Sequence, residues 1–156
     1  MPVQWMSRSE AEAELAAGSE GRLATVLADG RPYITPVNYL FAEGRIYFHS
    51  RRSGQKIEAL AANPRVCFEV TGEVTPSRQA ESACQCSTRY RSVVVHATAE
   101  LLDDNQEKAR VLNLLVAHMA TGRSYPPVTA DHAKSCAVVA LHIQQLSGKI
   151  NHEAHG

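Results

Sequence analysis

Residues 21–50 read GRLATVLADGRPYITPVNYLFAEGRIYFHS, and this stretch decides the fold. Residues 21–28 form an extended apolar run, and Asp29-Gly30 is a strong hairpin signal between extended segments. In the run that follows, Tyr33, Thr35, Val37, Tyr39 and Phe41 share one face of a strand, while Ile34, Pro36, Asn38 and Leu40 share the other. Pro36 cannot donate to a ladder, which points to an edge, a bulge or a mouth position. Glu43-Gly44 marks a second tight turn, and residues 45–50 form a third strand. Two of the three strand connections in the first half read as two-residue turns, so the sheet there must be antiparallel.

On the N-terminal side, residues 7–17 predict a helix with a capping box at Ser7 and Glu10 and Gly18 as its stop. On the C-terminal side the period changes. Ile57, Leu60 and Ala61 recur at helical spacing before Asn63-Pro64 ends the helix. RVCFEVTGEV is a fourth strand, TPSRQAESACQCST a polar loop, and residues 90–102 a long β-branched strand. A helix follows with Asp103 or Asp104 as its cap and a stripe through Val111, Leu115, His118 and Met119. A Pro-containing loop leads to the last strand, CAVVALHIQQLSGKI. The chain therefore predicts one domain over residues 1–150, with residues 151–156 as a frayed tail. About six strands in hairpin-rich order with three helices, no βαβ alternation and no G-x-G-x-x-G exclude a Rossmann-type fold. The natural architecture is mainly β, a small antiparallel barrel with peripheral helices.

Composition sets further bounds. The 156 residues carry 16 acidic and 16 basic side chains, and 44% are hydrophobic. Disorder is excluded by this apolar content, and bulk-charge binding of nucleic acid by the absence of net charge. No window reaches the roughly 20 apolar residues of a membrane helix, and the N-terminus lacks signal-peptide order. The expected compartment is the cytoplasm, with the four cysteines as thiols. Cys67 and Cys136 fall in apolar strand-like runs and read as core residues. Cys84 and Cys86 form C-x-C without a second ligand pair, so zinc has little support. His118 on its apolar stripe reads as packed. His96 and His142 fit outward strand positions, and His152 and His155 lie in the tail, where N-H-E-A-H is not the metalloprotease motif.

The informative chemistry lies in YFHSRRSGQK, residues 47–56. A strand ends at His49 and Ser50, a loop carries Arg51, Arg52, Ser53 and Gly54, and Lys56 opens a helix. Charge-assisted donors, a glycine and free helix N–H groups suit a phosphate monoester. A solvated basic turn accounts for the same residues.

Beyond these local readings, GRLATVLADGRPYITPVNYLF, IYFHSRRSGQKIEAL, NPRVCFEV and ACQCSTRYRSVVVHATAEL, in this order, resemble the pyridoxamine 5′-phosphate oxidase-like, FMN-binding split β-barrel superfamily. Within it they are similar to the 5-nitroimidazole-resistance-type branch. The resemblance covers residues 20–102, and the downstream helix, Y-P-P loop and closing strand extend it. It implies a six-stranded antiparallel split β-barrel that forms a homodimer, with FMN in a cleft between two subunits. Val37, Asn38 and Tyr39 would then flank the isoalloxazine ring through backbone and side chains. His49 and Ser50 would lie beside the ribityl chain and phosphate. Arg51 and Lys56 would lead in holding the phosphate, with Arg52, Ser53 and Gly54 in support, and Ser87, Tyr90 and Arg91 would approach from the partner subunit. The family stretch usually carries an aromatic residue where this chain has Cys86. This implies an altered pocket, a thiol near the flavin, or a small neutral replacement; a reactive thiol requires a depressed pKa.

The implied function is an FMN-dependent oxidoreductase acting on small electrophiles such as nitro compounds, with a nicotinamide as possible electron donor. The alternatives are a flavin or haem carrier or sensor in the same cleft, with His49 as the natural axial ligand, and a dimeric relative without ligand. No residue stands out as a general acid; Tyr39, Tyr90 and His49 are candidates.

Overall fold

A computed structural model describes residues 3–76, 82 and 87–152. Its order is β1 (Val3–Trp5), α1 (Arg8–Ala17), β2 (Glu20–Val26), β3 (Pro32–Asn38), β4 (Leu40–Ala42), β5 (Arg45–Ser50), α2 (Gln55–Ala62), β6 (Arg65–Thr71), β7 (Thr75–Pro76), β8 (Thr88–Leu101), α3 (Asn105–Met119), α4 (Ala130–Ala133) and β9 (Ala137–Asn151). All pairings are antiparallel, and the main sheet runs β3-β2-β6-β8-β9-β5-β4.

The two ends of that sheet are consecutive in sequence. β3 pairs with β2 up to Asn38, and β4 pairs with β5 from Leu40. Tyr39 is the corner between them; its backbone N–H still donates to the Ser19 carbonyl at 3.0 Å, one rung beyond the Glu20–Asn38 pair, and the next residue, Leu40, pairs with β5. One chain segment thus joins both edges and curls the sheet into a split barrel. A register shift between His96 and Ala97, where Gln144 is the extra residue on β9, adds curvature.

The period-2 pattern builds the interior. Leu23, Val37, Ile46, Phe48, Phe68, Val93, Val95, Val139 and Leu141 are all buried in one cluster, closed by Ala11 and Leu15 of α1. A second cluster lies on the outer face, where Leu40, Tyr47, Val138 and Ala140 meet Val111, Leu112 and Leu115 of α3. Tyr39 is fully buried in the first cluster, and its hydroxyl donates to the Leu15 carbonyl at 2.6 Å. That carbonyl belongs to the last turn of α1, where intrahelical donors run out. Tyr39→Phe therefore strands a buried acceptor and lowers stability by about 1–3 kcal/mol, measurable by urea denaturation.

Several sequence expectations are corrected. Among the described residues nine strands replace the expected six, because the run through Phe41 breaks at Tyr39 and because β1 and β7 are too short to show periodicity. Asp29-Gly30 sits in a three-residue loop: Leu27 N–H donates to the Arg31 carbonyl at 2.9 Å, and Gly30 adopts φ +85°, the bulged hairpin geometry. The second turn is the two-residue type, with Glu43 and Gly44 at φ 56° and 71°. The last strand runs through Asn151, which is buried and donates to the Thr88 carbonyl at 2.6 Å. His152 bonds Gln4 at 2.9 Å, so neither residue belongs to a frayed tail. Cys67 and Cys136 are only partly buried, while Cys84, Cys86 and His155 lie outside the described residues. The capping box at Ser7 and Glu10 is present, and Asp104 caps α3. His118 is half-buried and hydrogen-bonds the Gly18 carbonyl at 2.9 Å. Among the described residues no helix is long and apolar enough to cross a membrane.

Candidate functional site

β5 carries the chain to Ser50, opposite Ala137 of β9. The backbone then leaves the sheet through residues 51–54 and enters α2 at Gln55. Gly54 is the N-cap of α2, with φ +123°. Residues with a Cβ rarely adopt this conformation. An added Cβ would meet nothing within 4 Å, so the backbone angle, and not crowding, requires the glycine. The other helices α1, α3 and α4 each have an N-cap side chain that accepts from a first-turn N–H; α2 has none. Its first N–H groups have no intrahelical acceptor and form the positive end of the helix dipole.

Cations surround this end. Arg51 and Arg52 are exposed and Lys56 is half-buried. Among the described residues none of the three forms a salt bridge, whereas Arg8, Arg22, Arg31, Arg91, Arg110 and Lys134 each meet a carboxylate within 3.0 Å. The Lys56 ammonium stands 5.6 Å from the centroid of the buried Phe48 ring, and burial holds its pKa below the ordinary lysine range. A cation partly withdrawn from water without a counterion gains when an anion arrives. Uncapped N–H groups, flexible cationic forks and a partly desolvated ammonium together fit a phosphate monoester.

The second candidate group lies elsewhere. Tyr90 pairs with Asn151 at one end of β8, and Leu101 pairs with Val139 at the other. Val139 is also opposite Phe48, so residues 51–56 adjoin the Leu101 end. Tyr90 and Leu101 are eleven positions apart, about 36 Å of extended strand. Arg91 is tied to Glu14 at 2.6 Å, Ser87 accepts from the Asn151 amide at 3.1 Å, and the Lys149 ammonium lies 5.7 Å from the Tyr90 ring centroid. Tyr90 and Arg91 line a separate cavity of about 400 Å³. Within one chain the two groups are not brought together.

Residues 7–150 match the pyridoxamine 5′-phosphate oxidase family. The chain belongs to that family. Among curated members of known sequence, an uncharacterized protein of Rhizobium meliloti is 39% identical over 82 residues, 53% of this chain and 52% of that one. A 5a,11a-dehydrotetracycline/5a,11a-dehydrooxytetracycline reductase of Streptomyces rimosus is 36% identical over 100 residues, 62% of this chain and 64% of that one. The chain thus spans about half to two thirds of the length of these curated relatives. Among solved structures, a FAD-binding protein from Mesorhizobium loti superposes with TM-score 0.72 at 27% identity, covering 97% of this chain and all of that one. A protein described as a candidate 5-nitroimidazole antibiotic resistance protein from Bacteroides thetaiotaomicron superposes with TM-score 0.81 at 21% identity, covering 96% and 89%. The split β-barrel of this pyridoxamine 5′-phosphate oxidase family member is therefore a shared fold.

Within the family framework, the structure sorts the residues singled out from sequence. Arg51, Ser53, Gly54 and Lys56 gather at the α2 N-terminus. Ser50 ends β5 beside them, and His49 is exposed on the outer sheet face, opposite Val138. Val37 and Tyr39 point into the core. Contact of their side chains with a flavin ring is thus corrected, as is Tyr39 as a proton donor: its proton is committed to Leu15, and burial and the nearby Glu14 push its pKa up. Asn38 alone of the three has an exposed side chain. Arg52 lines a cavity with Lys108 and Lys134. Sequence reasoning missed those two lysines. A signal existed for Lys108, which continues the stripe of Val111, Leu112 and Leu115 one turn toward the helix start.

Proposed function

We propose that this chain is an FMN-binding flavoprotein that works as a homodimeric oxidoreductase on small electrophiles. The observation that carries the reading is the uncapped start of α2, held open by Gly54 and flanked by Arg51 and Lys56, which have no carboxylate partner among the described residues. These groups hold the flavin phosphate. Asn38, exposed at the end of the edge strand, offers its amide to the polar rim of the ring, and the backbone of residues 37–39 lies against it. Two copies are required because residues 87–91 lie a strand's length from the cradle; each subunit offers its cradle to one flavin and its 87–91 segment to the other. Ile34, 63% exposed on edge strand β3, supplies apolar surface for that contact. Bound FMN supplies the redox centre, while the protein binds and orients it. The Streptomyces reductase relative supports a reductive role. Protons come from solvent or from the exposed His49.

The absorption spectrum of purified or FMN-reconstituted protein tests the ligand. A flavin spectrum is expected; a haem Soret band, or no uptake of FMN, overturns the reading. Anaerobic mixing with NADH or NADPH then tests turnover. Bleaching of the bound flavin is expected, and its absence with every donor would leave a carrier.

Affinity for FMN also depends on pH with a definite sign. Phosphate favours protonated Lys56, so binding is strong below the Lys56 pKa and is lost above it. Because that pKa lies below the ordinary lysine value, the alkaline loss begins earlier than for an exposed lysine. On the acid side, affinity falls as the phosphate takes up its second proton at about pH 6. Fluorescence titration across pH checks both limbs, and Lys56→Met removes the alkaline one.

A further inference from the structure

Strand β1 ends on Trp5, the single tryptophan of the chain. It is 68% exposed, which leaves a large apolar ring system in water. β1 pairs with β9, Val3 opposite Asn151 and Trp5 opposite Lys149. From the other side of β9, Tyr90 pairs with Asn151 and Ser92 with Lys149. Residues directly opposite share a face of the sheet, and diagonal neighbours stand about 7–8 Å apart. Lys149 therefore lies between the indole and the Tyr90 ring, with its ammonium 5.7 Å from the centroid of that ring. Val3, on the same face, is exposed as well. Tyr90 and Asn151 also line the cavity of about 400 Å³, in which Glu73 is the one carboxylate and Arg89, Arg91 and His152 are the basic groups. Arg91 is engaged by Glu14 and His152 by Gln4, whereas Lys149 meets no carboxylate among the described residues. The row of Trp5, Lys149 and Tyr90 thus ends in the cavity wall. A flat ring can stack on the indole, and an anionic group on that ring would reach the ammonium. The cavity is of the size that takes a small molecule, about 300–1,000 Å³.

We propose that Trp5, Lys149 and Tyr90 form a platform that binds a planar aromatic carboxylate, with the indole as its stacking face and the Lys149 ammonium as its anion partner. This names a substrate class for the oxidoreductase reading. The platform rests on that reading only for the reaction that follows binding, because it lies beside residues 87–91, the segment offered to the second subunit's flavin.

The test is isothermal titration of the whole protein, with and without FMN, using 4-nitrobenzoate and its uncharged counterpart 4-nitrobenzyl alcohol. The carboxylate is expected to bind the flavin-free protein about tenfold more tightly than the alcohol, and Lys149→Met should remove that preference. Trp5→Leu should weaken both probes about tenfold, while Trp5→Phe, which keeps a ring, recovers most of the loss. Neither Trp5 variant should change the melting temperature or the affinity for FMN, since the side chain is exposed on a three-residue edge strand. Tryptophan emission reports on Trp5 alone. It should be solvent-like in the unliganded protein and quenched by 4-nitrobenzoate with the affinity that calorimetry gives. A blue-shifted emission before any ligand is added would show that a second copy covers the indole, and overturns the proposal. So do equal affinities for the two probes, no binding of 4-nitrobenzoate, or a loss of FMN affinity in Trp5→Leu equal to that for the probes. Should the unmodified protein bind no flavin, the flavin reading fails, while titration of the flavin-free protein still decides the platform.

Discussion

The double variant Arg51→Ala, Lys56→Met is expected to bind FMN about 10²–10⁴-fold more weakly than the unmodified chain. Two charge-assisted hydrogen bonds to phosphate contribute about 1.5–3 kcal/mol each, and about 1.4 kcal/mol is one decade in affinity. Riboflavin, which has the same ring and ribityl chain but no phosphate, should lose nothing. The contrast isolates the phosphate, because the substitutions leave the fold intact. Arg51 is exposed and without a carboxylate partner among the described residues, and methionine keeps an unbranched stem over the Phe48 ring. Isothermal titration with both ligands reads the outcome. Equal losses for FMN and riboflavin would mean that these side chains shape the pocket and do not hold the phosphate.

Phe68→Ala should give the largest loss of stability. Phe68 is fully buried at the centre of the barrel. Its ring meets Tyr39 edge-on at 5.0 Å between centroids, and on the other side it presses on Gly21, where an added Cβ would lie 2.2 Å from Cζ. Truncating a buried phenylalanine costs about 3–5 kcal/mol, a large part of the 5–15 kcal/mol typical of a domain. For a chain of this size that lowers the melting temperature by about 6–20 °C. Tyr39 loses its ring partner at the point where the chain crosses from one sheet edge to the other. The cavity should therefore loosen the closure of the barrel as well as the core. Calorimetry and denaturant titration measure it; a loss below about 1 kcal/mol would show that the barrel interior relaxes around the gap.

The sequence carried the sheet well where a strand runs for six or more residues with apolar side chains on its inward face. β2, β5, β6, β8 and β9 each present one apolar face to the inner cluster, and the antiparallel order followed from two recognisable turns. Tyr39 escaped because nothing local distinguishes a strand that continues from one that changes partners. Its N–H still continues the β2–β3 register to Ser19, and the change of partner shows only at Leu40, which pairs with Tyr47 of β5 in the folded chain. β1 and β7 escaped because two or three residues cannot show a period.

The candidate site was legible in part. Residue type and spacing around Gly54 pointed to an anion site as an expectation, and the structure describes the elements that the proposal uses, an uncapped α2 start with Arg51 and Lys56 beside it. The side-chain roles given to Val37 and Tyr39 did not survive, since strand alternation places both inside; the face pattern of residues 33–41 already contained that answer. Arg52 and Lys108 were illegible as a pair. Their cavity joins a loop, a helix and the end of β8, and no sequence window spans all three.

The most direct test of the phosphate cradle is a side-by-side titration of the unmodified, flavin-free protein with FMN and riboflavin near neutral pH, following quenching of flavin fluorescence. The expected result is saturation at one FMN per chain, with riboflavin at least about a hundredfold weaker. Equal affinity for the two, or no binding of either, would contradict it.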